Sequence, residues 1–207
     1  MTDTDRCAPS IPDGYHPLAA SKVAVVVTYL EMLARPAESA RPAPEWPIRR
    51  VVRPDADWYR DLFRRIGTDW LWFSRLRLSD EALLGIIRDP AVAIFALARD
   101  GRDEGLLELD FRQPGACELA FFGVTAPLIG TGAAWALMHR AIEEAWTRPI
   151  KRFWVHTCTG DHPAAVPFYI RSGFVPYARA IEIADDPRLL GLFPRDAAPH
   201  IPVLGGD

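Results

Sequence analysis

Apolar and polar positions change period several times along this chain, and each change predicts an element. Lys22–Met32, KVAVVVTYLEM, is rich in β-branched side chains with three valines in succession, which suits a strand better than a helix. Pro36, Pro42, Pro44 and Pro47 then predict an extended linker. A short strand over 48–52 leads into a helix over about 55–66, with Trp58, Leu62 and Phe63 on its apolar side. Ser79 followed by Asp80 and Glu81 reads as an N-cap with an acidic first turn, opening a helix that stops before Asp89-Pro90. Strands over 92–98 and 106–111 are joined by a hairpin-like turn around Asp100-Gly101. In the second of these, Leu107, Leu109 and Phe111 alternate with Glu108, Asp110 and Arg112, which predicts one wet face.

The next stretch, 117–137, is the densest in information. Glu118, Ala120, Phe122 and Val124 alternate with Leu119, Phe121 and Gly123, so both faces are apolar except for one carboxylate, as in a buried central strand. A Gly-x-Gly turn follows and opens a helix: Ala134, Leu137, Met138, Ala141, Ile142 and Ala145 recur at helical spacing, opposite His139, Arg140, Glu143 and Glu144. Gly130 and Gly132 let backbone approach a ligand closely, and the free N–H groups with the positive helix end suit an anion such as a pyrophosphate. Beyond lie a strand over 152–157, a helix from His162, a strand over 174–183, a short helix over 188–193 and a loose Pro/Gly-rich tail from Pro194. Residues 1–14 are polar and are expected to be mobile.

Bulk properties narrow the class without naming a substrate. At 207 residues and 49% hydrophobic, the chain has material for one well-buried domain with modest appendages. A net charge of −3 and a pI near 6.0 give no reason to expect a nucleic-acid partner. Cys7, Cys117 and Cys158 are odd in number and lack CxxC spacing, which suits a reducing compartment. The start MTDTDRCAPS is not a signal sequence and no apolar run approaches 18 residues, so the expectation is a cytoplasmic protein without membrane contact.

Several folds place a glycine turn before a helix, and order along the chain separates them. A dinucleotide fingerprint belongs on the first strand with an acidic residue about 20 positions later, whereas here strand candidates precede the turn. A phosphate loop of the Gly-Lys-Ser/Thr type needs a lysine that this turn lacks. Ile129-Gly130-Thr131-Gly132-Ala133-Ala134 instead resembles the Q/R-x-x-G-x-G/A loop of the GNAT superfamily of acyl-CoA-dependent N-acyltransferases, with Ile129 where Gln or Arg is usual. His162-Pro163-Ala164-Ala165-Val166-Pro167-Phe168-Tyr169-Ile170-Arg171-Ser172-Gly173-Phe174 resembles a second motif of that superfamily, N-x-x-A-x-x-L/F-Y-x-x-x-G-F, with His162 in place of Asn. The order from residue 48, β-α-α-β-β-β-α-β-α-β, is that of its core, and WLWFSRL and HTCTGDHP are similar to a bacterial subgroup of it.

The resemblance implies a mixed α/β sheet of the GNAT type with an extra N-terminal strand: an extension over 1–47, the acetyltransferase domain over 48–183 and a tail over 184–207. The usual last strand is interrupted at Asp185-Asp186-Pro187, and the strand at Lys22–Met32 is expected to fill the sheet edge left by it. It further implies acetyl-CoA as co-substrate, the pantetheine on Phe122, Gly123 and Val124, the pyrophosphate on Ile129, Gly130, Thr131, Gly132, Ala133 and Ala134, and His162 where an Asn meets the pantetheine arm. Glu118, expected on the same face as Phe122 and Val124, would take the proton of an attacking ammonium directly or through a water. The plainer alternative is a carboxylate solvated or paired with an arginine. Tyr169 would protonate the departing sulfur, or else be a packed aromatic. Trp70, Trp72 and Phe73 would line the pocket of a small-molecule or peptide amine, and a homodimer stays open. His156, Cys158, Asp161 and His162 admit a metal or a cysteine nucleophile, but no metal is expected, and Asp161 reads as the cap of the helix that has Pro163 in its first turn. Direct transfer of an acetyl group to a primary amine is thus set against a non-catalytic acyl-CoA-binding or sensing module, with a metal-dependent hydrolase as a third reading.

Overall fold

The computed structural model describes residues 11–37 and 44–205. The expected mobility of the first ten residues, Cys7 and Pro42 of the linker lie outside them. Seven strands form one sheet in the order β2-β3-β4-β5-β6-β1-β7. These are β1 (Lys22–Met32), β2 (Ile48–Arg50), β3 (Val92–Arg99), β4 (Arg102–Asp110), β5 (Ala116–Val124), β6 (Arg152–Cys158) and β7 (Val175–Asp185). The helices are α1 (Ala56–Gly67), α2 (Asp80–Ile87), α3 (Ala133–Ala145) and α4 (Ala165–Arg171), interspersed in the predicted order.

Local chemistry explains the element ends. The Asp55 carboxylate accepts from the amides of Asp57 and Trp58 at the start of α1, and Ser79 Oγ accepts from Ala82 at the start of α2. In α1, Tyr59, Leu62, Phe63 and Ile66 recur at helical spacing and are buried. Asp100 and Gly101, both at positive φ, make the two-residue turn between β3 and β4, which pair from Arg99↔Arg102 inward.

Two cores flank the sheet. On one face α3 and α4 bury Leu137, Met138, Ala141 and Tyr169 against Leu107, Leu109, Leu119, Phe153, Val155 and Leu30. On the other, α1 and α2 pack Tyr59, Leu62, Phe63 and Leu83 against Ile94, Leu106 and Phe121. The face of β4 expected to be wet is covered there: Glu108 is 0% exposed and takes hydrogen bonds from the Tyr59 hydroxyl and the Arg75 guanidinium, both at 2.5 Å. Burial alone would forbid a lone carboxylate, and these two donors are what make it tolerable.

Four expectations are corrected. β1 does not fill a sheet edge; it lies inside the sheet, antiparallel to β6 on one side and β7 on the other, and β7 is the edge. Residues 188–193 form turns, because the Asp186 carboxylate accepts from the Arg188 amide and guanidinium and folds the chain back locally. The tail is not loose: Arg188 is buried and donates to the carbonyls of Ala197 and Ile201, drawing Phe193, Ala197 and Ala198 into the second core. Asp161 caps no helix, since α4 begins at Ala165 with no side-chain cap.

Candidate functional site

An irregularity in β5 creates the site. Glu108 of β4 lies opposite Phe121, but the next β4 residue, Leu109, lies opposite Leu119, so Ala120 is an extra residue in the strand. The bulge reverses the alternation expected from the sequence. Leu119, Phe122 and Val124 face the α3 side, whereas Phe121 and Gly123 face α1. Glu118, next to Leu119 and ion-paired across the sheet, therefore points to the α1 side and does not share a face with Phe122 and Val124. β5 and β6 run parallel and pair only from Ala116↔Arg152 to Glu118↔Trp154. Beyond that point they diverge and open a cavity of about 1020 Å³.

One end of the cavity is the glycine turn. Gly130 and Gly132 hold φ of +81° and +92°, a region L side chains avoid, and a Cβ at Gly130 would meet nothing within 4 Å. Gly132 caps α3 without a side-chain hydrogen bond, and the first turn holds no carboxylate. The Ala133 amide donates to Thr131 Oγ1 at 3.4 Å, and the amides of Gly130, Gly132 and Ala134 are left at the start of this 13-residue helix. Phe122, Gly123, Val124, Ile129, Gly130, Gly132, Ala134 and His162 all line the cavity. Thr131 and Ala133 do not: the Thr131 hydroxyl donates to Leu128 O at 2.8 Å, stiffening the turn from behind, and Ala133 is fully buried. This cradle, which side chains at the two glycines would spoil, fits a diphosphate.

Tyr169 lines the middle of the cavity at 7% exposure, with its ring among those of Phe122, Phe168 and Phe174. Burial, aided by the Asp161 charge, pushes its phenol well above the ordinary value, so the group stays protonated. His162 accepts from the Ala164 amide at 3.0 Å and meets the Trp70 ring edge-on at 5.2 Å.

The other end is walled by Trp70, Leu71, Trp72, Phe73 and Ser74 and by groups from both ends of the chain: Val23 and Val25 of β1, Glu182 and Ala184 of β7, and Ile201. Trp72 is wedged in place, because a Cβ on Gly67 would sit 2.4 Å from its Cβ and one on Gly123 3.1 Å from its Cη2. His156, on the same side, is a titratable group lining the cavity, which the sequence offered only as a metal ligand. Its Nδ1 lies 3.3 Å from Glu118 Oε1, with side-chain exposures of 44% and 25%. The hydrogen bond to Glu118 raises the imidazole above its usual value against the opposing effect of burial. The available signal was parity, as Trp154, His156 and Cys158 must share one face of β6 opposite Phe153 and Val155.

Among the described residues no three His, Cys, Asp or Glu side chains are placed to hold a metal. Asp161 is engaged otherwise, accepting from Trp72 Nε1 at 3.0 Å, Thr157 Oγ1 at 2.7 Å and the Cys158 amide at 2.8 Å. Burial and Asp161 push the Cys158 thiol up to about 12, which opposes a nucleophilic role. No described helix is long and apolar enough to cross a membrane.

A split mixed sheet with a glycine-started helix at the mouth of the split defines the class. Residues 51–174 match the family model described as Acetyltransferase (GNAT) family, and the chain belongs to that family. No curated protein is matched. Among solved structures, a GCN5-related N-acetyltransferase from Sphaerobacter thermophilus superposes with TM-score 0.56 at 16% identity over 78% of this chain and 51% of that one. The chain thus spans about half the length of that relative. An aminoglycoside acetyltransferase from an uncultured soil metagenome, in complex with sisomicin, gives TM-score 0.52 at 14% identity, covering 61% and 86%. At these identities the likeness concerns the fold.

Proposed function

We propose that this protein is an N-acyltransferase that moves an acetyl group from acetyl-CoA to a primary amine by direct attack. The observation that carries the reading is the single cavity running from the glycine turn at the start of α3, past the Tyr169 ring, to the pocket of Trp70, Trp72 and Phe73. The two ends differ in the manner of a two-substrate site: one presents backbone amides suited to an anion, the other aromatic surface suited to an organic amine. That an aminoglycoside acetyltransferase of similar fold was solved in complex with sisomicin supports this reading.

The co-substrate supplies an activated acyl carbon and a thiolate leaving group. The amides of Gly130, Gly132 and Ala134 hold its diphosphate, and the cleft edge of β5 along Phe122, Gly123 and Val124, left without a strand partner, holds its arm. His162 borders that arm. As the amine nitrogen bonds to the carbonyl carbon and the C–S bond breaks, Tyr169 donates a hydrogen bond to the sulfur. Its raised pKa favours donation over complete proton loss, since a buried phenolate would be costly. The reading is tested by calorimetry with CoA and by thiol release from acetyl-CoA over a panel of amines. Binding without any turnover favours the sensing alternative, which draws support from the apolar Ile129 exposed at the turn.

A further inference from the structure

We infer that His156 is the base that meets the acceptor amine, and that Glu118 is the residue that positions it. The inference rests on the acyltransferase reading and changes the assignment of its base. The sequence points to Glu118 because it is the lone carboxylate of β5, and the bulge at Ala120 alters where that carboxylate goes. It turns to the α1 side, where its Oε1 lies 3.3 Å from Nδ1 of His156 on β6. His156 lines the cavity and Glu118 does not. The pair is thus ordered: carboxylate behind, imidazole in front.

The geometry gives each nitrogen of the ring a separate task. Nδ1 is committed to Glu118 at 3.3 Å, which leaves Nε2 without a hydrogen-bond partner among the described residues. The ring is held between Tyr29 of β1, at 5.9 Å, and Trp154 of its own strand, at 6.1 Å. The charged groups facing it are Glu118 from β5, Asp161 from the β6–α4 loop and Glu182 from β7, all anionic, and each favours the imidazolium. A base so placed is strengthened without losing access to the cavity, as its side chain is 44% exposed.

The proton balance closes. An acceptor enters as an ammonium, which the anionic surround attracts. Neutral His156 takes one proton through Nε2 and frees the lone pair. The C–N bond forms as the C–S bond breaks, the second nitrogen proton ends on the sulfur beside the Tyr169 hydroxyl, and His156 returns its proton to water.

Two measurements test the pair. In histidine-labelled protein without ligand, the His156 NMR signal, assigned by its loss in His156→Gln, should titrate above the usual value of about 6.5. In Glu118→Gln the midpoint should fall. An unchanged midpoint overturns the positioning role. The second measurement follows thiol release from acetyl-CoA with tyramine, putrescine and a lysine peptide as acceptors. His156→Gln should lower kcat about 10²–10⁴-fold with CoA affinity unchanged by calorimetry, and added imidazole should restore part of the rate in His156→Ala. Glu118→Gln should retain more activity than His156→Gln and should move the acid limb of kcat/KM to lower pH, a shift that a packing defect would not produce. Wild-type rates in His156→Gln, or a greater loss in Glu118→Gln than in His156→Gln, overturn the inference. A wild-type protein that binds CoA but acylates none of the panel instead fails the acyltransferase reading, while the titration still reports on the pair.

Discussion

Trp72 Nε1 donates to Asp161 Oδ1 at 3.0 Å, joining the loop after α1 to the loop before α4 across 89 positions of sequence. This bond spans the opening between β5 and β6. It fastens the Trp70–Ser74 wall to the strand end that carries His156, so the two halves of the cavity keep one spacing.

Trp72→Phe should therefore leave the ring volume over Gly123 largely filled while removing one of the three donors to Asp161. Loss of one hydrogen bond to a charged acceptor predicts about 1.5–3 kcal/mol of stability, read by urea unfolding. With an acceptor amine in hand, KM for the amine should rise more than kcat falls.

Gly132→Val should abolish CoA binding in calorimetry. The added side chain would occupy the diphosphate cradle, and at φ +92° with Pro44 Cγ 3.1 Å from the new Cβ it should also lower the melting temperature. Gly130→Ala, with open space around its Cβ but φ +81°, should weaken CoA binding at a smaller stability loss. Unchanged affinity in both would remove the diphosphate from this turn.

Glu108→Ala leaves Arg75 and the Tyr59 hydroxyl buried without their carboxylate, and breaking such a pair costs about 3–5 kcal/mol. The loss should reach activity as well, since Arg75 fixes the end of the Trp70–Ser74 wall. Chemical denaturation of the variant, with the midpoint compared at constant slope, checks the size.

Tyr169→Phe removes one oxygen from a packed ring. If that hydroxyl stabilises the leaving sulfur, kcat should fall by about 10²–10³ with CoA affinity little changed. Wild-type turnover would leave Tyr169 a packing residue.

Deleting residues 1–34 takes away a strand hydrogen-bonded on both sides. The truncated chain should fail to give soluble protein with native circular dichroism, because β6 and β7 have no other way to meet. A truncation with full stability would contradict the sheet order.

Much of this was legible in advance, wherever a local rule decides. Three valines predicted β1 to the residue, Asp55 and Ser79 marked helix starts, and Gly132 marked the start of α3. What escaped depends on partners distant in sequence. Period-two reasoning put Glu118 on the wrong face because one inserted residue, Ala120, is visible only against β4. Asp161 looked like a cap until Trp72 was seen beside it. Glu108 looked solvated because nothing local announces Tyr59 and Arg75. The aromatic end of the cavity joins Val25 to Glu182, a contact no motif encodes.

The interior position of β1 also governs how the chain is made. Its partners β6 and β7 begin at Arg152 and Val175, so at about 5–20 residues per second a ribosome needs roughly 6–24 s after releasing Met32 before the first of them emerges. During that interval a β-branched segment stands with both hydrogen-bonding edges open, the condition in which nascent strands stick to one another. Its Lys22 and Glu31, one near each end, are the charges available to discourage that. Productive folding of the cleft is thereby deferred until the last third of the chain exists, and a chaperone that shields short apolar strands would be expected to raise the yield of this protein more than that of a relative whose sheet is completed by adjacent strands.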